Sequence, residues 1–301
     1  MRTRRHRPPG PLDVDRTLAP FVRGSGDPTS ERGRDGWWFA WTTPEGPVTL
    51  HLVEDADEVL ARAWGGGAEW MLDRLPDLLG GRDDPSGFTP HHDLVSREWP
   101  RQSGWRVPAN ALVSQMLVCS VIEQKVTGRE AFSSLRQLVR GFGSPAPGPG
   151  EERGMVAPPS PAQWARIPSW AWVRAGVDGS RSRTVVTAMR VAGRLDECAD
   201  LPLQEAQRRM RSLPGVGVWT AAEVAQRALG DADSPSFGDY HVAKDVTLAL
   251  DGTIGDDERM AELLEAYAGQ RYRAQRVVTA AARRPRRGPR RSLPTHLPTR
   301  W

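Results

Sequence analysis

Leu213-Pro214-Gly215-Val216-Gly217-Val218-Trp219-Thr220-Ala221-Ala222, with Ser236-Phe237-Gly238-Asp239-Tyr240 one helix later, reads as a hairpin between two helices followed by a turn carrying a carboxylate. Pro214 stops the helix before it, because its ring fixes φ and removes a donor. Gly215 and Gly217 allow backbone conformations and close approaches that a Cβ would block. The next helix starts near Val218, so its first N–H groups lack partners within the helix and point outward at the hairpin. Such a terminus holds a phosphate through those donors and the helix dipole. Neither glycine carries a charge, so the contact would run through backbone and be blind to base sequence. An ordinary tight turn between helices would use the same two glycines. The complete string, with Asp239 twenty-two residues after Gly217, favours the phosphate-binding reading.

These residues resemble the helix-hairpin-helix (HhH-GPD) superfamily of DNA glycosylases. Within it the chain is most similar to the bacterial 3-methyladenine branch, which acts in alkylation repair. The resemblance implies a mainly α fold with a smaller N-terminal α+β domain containing an antiparallel sheet. It implies that Leu213, Gly215, Val216, Gly217, Val218 and Thr220 grip the DNA backbone and that Asp239 is the catalytic group. Trp219 and Tyr240 fall beside the base pocket. In bifunctional members a lysine at the place of Trp219 forms a Schiff base and cleaves the strand. Trp219 has no amine, so a monofunctional enzyme is implied. Glu223, one turn on, stands where some members have an aromatic residue. Gln124 and Lys125 match the short stretch that fills the gap left by a flipped nucleotide; an exposed helix end would read the same way. A Na⁺ or K⁺ on the backbone carbonyls of Arg211, Leu213 and Val216 is a further feature the resemblance brings, not one the reaction requires. Some members hold an iron–sulfur cluster on four clustered cysteines. Cys119 and Cys198 are the chain's two cysteines, so no such cluster is expected.

The implied partner is double-stranded DNA containing a damaged base, met by a monomer in base excision repair. A buried base must be flipped into a pocket before its N-glycosidic bond is reached. An alkylated purine is cationic and leaves readily, so little acid catalysis is needed. Its departure puts positive charge on the sugar, which a fixed carboxylate stabilises. The same group can orient or deprotonate water. One aspartate is enough, unlike the paired carboxylates of most glycoside hydrolases. Asp239 would equally be a good N-cap for the helix after it. The alternatives are a non-catalytic DNA-binding protein that kept the hairpin, or a glycosylase for a different lesion.

The rest of the chain fits around this centre. Residues 14–96 read as an N-terminal α+β unit. Trp37-Trp38-Phe39-Ala40-Trp41 is an aromatic strand, Pro44-Glu45-Gly46-Pro47 supplies a turn, and Val48, Leu50 and Leu52 alternate with Thr49 and His51 as in a half-buried strand. Helices are expected near 54–63 and 67–79. Phe21-Val22-Arg23-Gly24-Ser25-Gly26-Asp27-Pro28-Thr29 resembles the first domain of the same glycosylase branch. Residues 97–282 read as the helical domain, with its best helix at 108–126 and a Pro/Gly-rich surface loop at 143–161.

Charge is unevenly spread. The formal net charge is +4 over 301 residues. Residues 1–10 carry four arginines and residues 281–301 seven, with no acid in either; setting both aside leaves about −7 for residues 11–280. Residues 1–13 and 283–301 are therefore expected to be a disordered basic arm and a basic tail, suited to non-specific attraction to a polyanion or simply solvated. No run reaches the eighteen apolar residues of a membrane helix. The basic N-terminus lacks an apolar secretory core, so a cytoplasmic, nucleoid-associated location is expected.

Overall fold

The computed structural model describes residues 1–282; the basic tail expected over 283–301 lies outside them. The aromatic strand is β3 in an antiparallel sheet of order β1-β5-β4-β3-β2. Its members are β1 (Arg2–His6), β2 (Ser30–Gly33), β3 (Gly36–Thr43), β4 (Gly46–Asp55) and β5 (Glu58–Trp64). Trp37, Phe39 and Trp41 share one face, with Phe39 stacked between the two tryptophans at 5.6 and 4.7 Å. Across the β3–β4 pair stand Leu52, Leu50 and Val48. Phe21, just after α1 (Val14–Leu18), closes edge-on against Phe39 and Trp41. Each fully buried large apolar side chain contributes roughly 1.5–3 kcal/mol.

The strand expected to be half-buried is covered on both faces. Thr49 and His51 are buried along with Val48, Leu50 and Leu52. The cover is the segment expected to be a bare Pro/Gly loop. Its short strands β6 (Ser144–Pro145) and β7 (Val156–Ala157) pair and enclose a helical turn, α7 (Pro149–Glu152). Ala146 and Met155 pack with Trp38, Ala40 and Trp64. Thr49 Oγ1 donates to the Pro147 carbonyl at 2.7 Å. His51 stacks on Trp38 at 3.9 Å, and burial holds its imidazole below the usual range. Proline and glycine here build tight turns over an apolar surface, and Ala146 and Met155 dock them on it.

Two further expectations are corrected. Residues 54–63 hold the end of β4, a turn at Ala56-Asp57 and most of β5, not a helix: β5 alternates Val59, Ala61 and Ala63 inward, with Leu60 and Arg62 between them. Residues 1–13 are not a disordered arm. β1 pairs antiparallel with β5 from Arg2↔Ala63 to His6↔Val59. Its arginines meet acids: Arg2 with Glu69 at 2.9 Å, Arg5 with Asp55 at 2.8 Å and Arg7 with Asp57 at 3.0 Å, while Arg4 donates to the Leu72 carbonyl at 2.8 Å. The free edge of β5 offered unpaired backbone groups, and acids around it neutralise the arginines.

The helices follow. They are α2 (Ala68–Asp73), α3 (Leu75–Leu78), α4 (Asp93–Gln102), α5 (Val113–Glu123), α6 (Gly128–Phe142), α8 (Pro161–Trp164), α9 (Ser169–Arg174), α10 (Gly179–Arg190), α11 (Ala192–Asp196), α12 (Leu203–Arg211), α13 (Val218–Ala228), α14 (Val242–Asp251), α15 (Asp257–Glu265) and α16 (Arg271–Ala281). The architecture is thus mainly α with a smaller α+β part. The best helix is shorter than its periodicity: Ala111 has φ +57°, and Asn110 Oδ1 accepts the Leu112 N–H, so α5 starts only at Val113. Nearly all of α5 is buried, between α10, α13 and α6. One apolar core runs from Val14 through the sheet to Leu229, and a second joins α4 to α14, α15 and α16. The expected boundary at 96/97 cuts through α4, which packs on α16.

Candidate active site

The hairpin joins α12 to α13. The Val216 N–H donates to the Leu213 carbonyl at 3.1 Å, closing the turn. The two glycines differ in what requires them. Gly215 has φ +85°, and a Cβ on it would lie 2.2 Å from Thr184 Oγ1 of α10. Gly217 has φ −97° and ψ −172°, extended backbone open to any residue, and a Cβ there would meet nothing within 4 Å. The fold therefore needs Gly215 and leaves the space in front of Gly217 empty. The N–H groups of Gly217, Val218 and Trp219 find no acceptor among the described residues. Val218 is exposed and Val216 buried, so the hairpin tip faces solvent while its centre anchors it. Arg208 and Arg211, in the last turn of α12, are exposed and have no ion-pair partner among the described residues. From the sequence, Arg211 is named only for its carbonyl and neither guanidinium is given a role, although the run Arg208-Arg209-Met210-Arg211 immediately precedes the hairpin.

The structure places Gln124 and Lys125 in different surroundings. Gln124 Nε2 donates to the Gly215 carbonyl at 2.9 Å and to Thr220 Oγ1 at 2.8 Å. It ties the end of α5 to the hairpin. Thr220, expected on the DNA backbone, is buried and spends its hydroxyl on this strut. Lys125 is exposed and takes φ +56°, an uncommon conformation for a side chain with a Cβ. Arg181 of α10, buried, donates to the Ile122 carbonyl at 2.7 Å and so fixes the turn from beneath.

Asp239 lies three residues before α14, which begins at Val242. Its Oδ1 accepts the N–H groups of His241 at 2.7 Å and Val242 at 3.0 Å. The capping role is real, and it occupies one oxygen. Oδ2 accepts no hydrogen bond among the described residues. Trp219, in the first turn of α13, is half-buried; its Nε1 is buried without a partner. Its Cβ lies 3.6 Å from the place a Cβ on Gly238 would take, so the indole's base sits against the turn that carries Asp239. Gly238 (φ +89°) donates its N–H to Asp257 Oδ2 at 2.7 Å. Tyr240 is 75% exposed, with Lys244 Nζ 4.0 Å from its ring centre. The fold thus brings together the start of α13, the turn at 238–239 and the start of α14.

Glu223 lies away from this surface. It is buried and accepts from Ser236 and Arg227. Both thiols are buried, and burial pushes Cys119 up to about 11. Among the described residues there is no cluster of His, Cys, Asp or Glu able to hold a metal. Among them, too, no helix is long and apolar enough to cross a membrane. The carbonyls of Arg211 and Val216 accept no hydrogen bond among the described residues, and that of Leu213 accepts one. Each oxygen keeps a lone pair, so the donor set fits a hard monovalent cation.

The fold is that of the helix-hairpin-helix DNA glycosylases. The 3-methyladenine DNA-glycosylase from Archaeoglobus fulgidus aligns with a TM-score of 0.74 at 18% identity, over 91% of this chain and 96% of that one. The Clostridium acetobutylicum 8-oxoguanine glycosylase/lyase, solved with double-stranded DNA containing cytosine opposite 8-oxoG, aligns at 0.64 and 12% identity, over 89% and 90%. In sequence, the chain is 31% identical over 137 residues to the Mycobacterium tuberculosis "Probable bifunctional transcriptional activator/DNA repair enzyme AlkA". The match takes in 44% of this chain and 26% of that protein, so it spans about a quarter of the relative's length. No protein-family model matches the chain.

Proposed function

We propose that the protein is a monofunctional DNA glycosylase that flips a damaged base, an alkylated purine, out of double-stranded DNA and hydrolyses its N-glycosidic bond. The observation that carries this is the Asp239 carboxylate, which is pinned through Oδ1, accepts nothing at Oδ2 among the described residues, and sits on a turn packed against the base of Trp219 at the start of α13. A capped carboxylate is preorganised: it needs no rearrangement as positive charge develops on the sugar. The free oxygen faces that charge or takes a proton from water. Trp219 and the exposed Tyr240 ring offer stacking surfaces for the flipped base. The free N–H groups at the start of α13, with the open space at Gly217, take a backbone phosphate. Arg208 and Arg211 add charge next to it. A Na⁺ or K⁺ on the carbonyls of Arg211, Leu213 and Val216 would stiffen the hairpin and add positive charge near that phosphate. Of the pair, Lys125 is the one we assign to the gap left by the flipped nucleotide, supported by its exposure while Gln124 is bonded to the hairpin.

Absence of lyase activity rests on Trp219 standing where the bifunctional members have their lysine. The chain holds two lysines, Lys125 and Lys244. A borohydride trap with a duplex containing an abasic site should give no covalent adduct; an adduct lost on K244R or K125R would identify the amine and place the enzyme in the bifunctional class. The substrate class is tested with duplexes each bearing one lesion, scored for free base and for alkali-labile sites. Release of a cationic alkylpurine, with the strand intact until heated in alkali, is expected. Release only of a neutral oxidised purine would contradict it.

A further inference from the structure

We infer that Glu223 is a positioning residue for Asp239, acting through Ser236, and that its pair of acceptor oxygens is what the position requires. This rests on the assignment of Asp239 as the catalytic group. Ser236 is the node. It is 3% exposed, and its hydroxyl donates to Glu223 Oε1 at 2.6 Å. The same oxygen accepts from Gln226 Nε2 at 3.2 Å and Gln275 Nε2 at 3.1 Å. One donated and two accepted bonds exhaust a hydroxyl. The Ser236 N–H donates to Gln275 Oε1 at 2.8 Å, and its carbonyl accepts the Asp239 N–H at 3.1 Å. The backbone of the catalytic turn thus hangs from a serine held by side chains of α13 and α16. Asp257 holds the next point along, the Gly238 N–H.

Glu223 is the acceptor the node cannot do without. Its second oxygen, Oε2, accepts from Arg227 at 2.7 Å, and Arg227 also reaches the Pro20 carbonyl at 3.2 Å. Both oxygens therefore face donors. A glutamine at 223 fails in either orientation. With its amide NH₂ toward Ser236, three donors converge on one oxygen and the serine proton has no acceptor. With the NH₂ toward Arg227, two donors face each other. Only an acceptor-only side chain satisfies both neighbours, and leaving such groups buried and unpaired is costly. This explains why a charged residue occupies a buried site one turn from Trp219.

The test compares wild type with E223Q and S236A in the full chain. Amide hydrogen exchange is read at Asp239, His241 and Val242, whose N–H groups report the turn and its cap. Single-turnover excision and affinity for abasic-site DNA are read alongside. Exchange at those three amides should rise by about tenfold or more in both variants, with α5 unchanged, and the excision rate should fall by a similar factor while affinity stays within about twofold. If wild type excises nothing, the glycosylase assignment fails while the exchange data still decide the coupling. Unchanged exchange at the three amides, or a rise spread evenly over the whole domain, would overturn the inference. So would excision lost only in step with affinity.

Discussion

At the residue scale, two glycines of the same motif are predicted to behave oppositely. Gly215→Ala puts a Cβ into a left-handed backbone and against Thr184, and should cost about 1–3 kcal/mol in chemical denaturation. Gly217→Ala meets nothing in the chain. It should melt within about 1 kcal/mol of wild type yet weaken duplex binding, because the methyl occupies the space proposed for a DNA backbone. Equal stability losses would mean that Gly217 also serves the fold. The string Leu213–Val218 made the hairpin legible, because proline and glycine act locally. The division of labour between its glycines was not, since it depends on Thr184, thirty-one residues away in sequence. Gln124 was readable as polar among apolar neighbours, but its bonds to Gly215 and Thr220 arise from the packing of α5 on α13. Glu223 gave the weakest signal: a lone acid in a helix reads as surface until Ser236 and Arg227 are seen to enclose it.

At the element scale, β1 and the 144–157 segment are where sequence and structure part. β1 carries no hydrophobic alternation; it reads as a charge cluster, and only the free edge of β5 and the acids around it make it a strand. Deleting residues 1–7 should therefore lower the melting temperature by several degrees by exposing β5. It should leave the slope of log K for DNA against log salt unchanged, since those arginines are already paired. A flatter slope would assign them to phosphates. The cover over the second sheet face was invisible because its apolar residues are few and interrupted by proline. Its burial of His51 has a consequence with a definite sign. Burial depresses the folded-state value of His51, and of His92 beside Tyr267, below that of the unfolded chain. The unfolded state then binds more protons as pH falls, so stability present above about pH 6.5 is lost on acidification through that value. Denaturation midpoints at pH 7.5 and 5.5 should show the lower value at 5.5, with a smaller drop in His51→Gln.

At the scale of the whole molecule, the α5–α13 pair forms the frame. The sheet shares one apolar core with it, and Gln275 of α16 and Asp257 of α15 hold the turn that carries the aspartate. The mainly α class and the N-terminal sheet were legible because long helical periodicities and an aromatic strand are robust signals. The two-core arrangement, with α4 joining α16 across the expected boundary, was not, because it is set by contacts between distant segments. The central claim is that Asp239 supplies a charge and not merely a cap. Asp239→Asn separates the two, since an asparagine oxygen still caps His241 and Val242 while the free carboxylate oxygen is gone. The decisive measurement is the single-turnover rate of base release by this variant on an alkylated duplex, alongside its melting temperature and its affinity for abasic-site DNA. The account predicts a rate lower by about two orders of magnitude or more, with stability and affinity close to wild type. Near-normal base release by Asp239→Asn would contradict it and leave the aspartate as a helix cap alone.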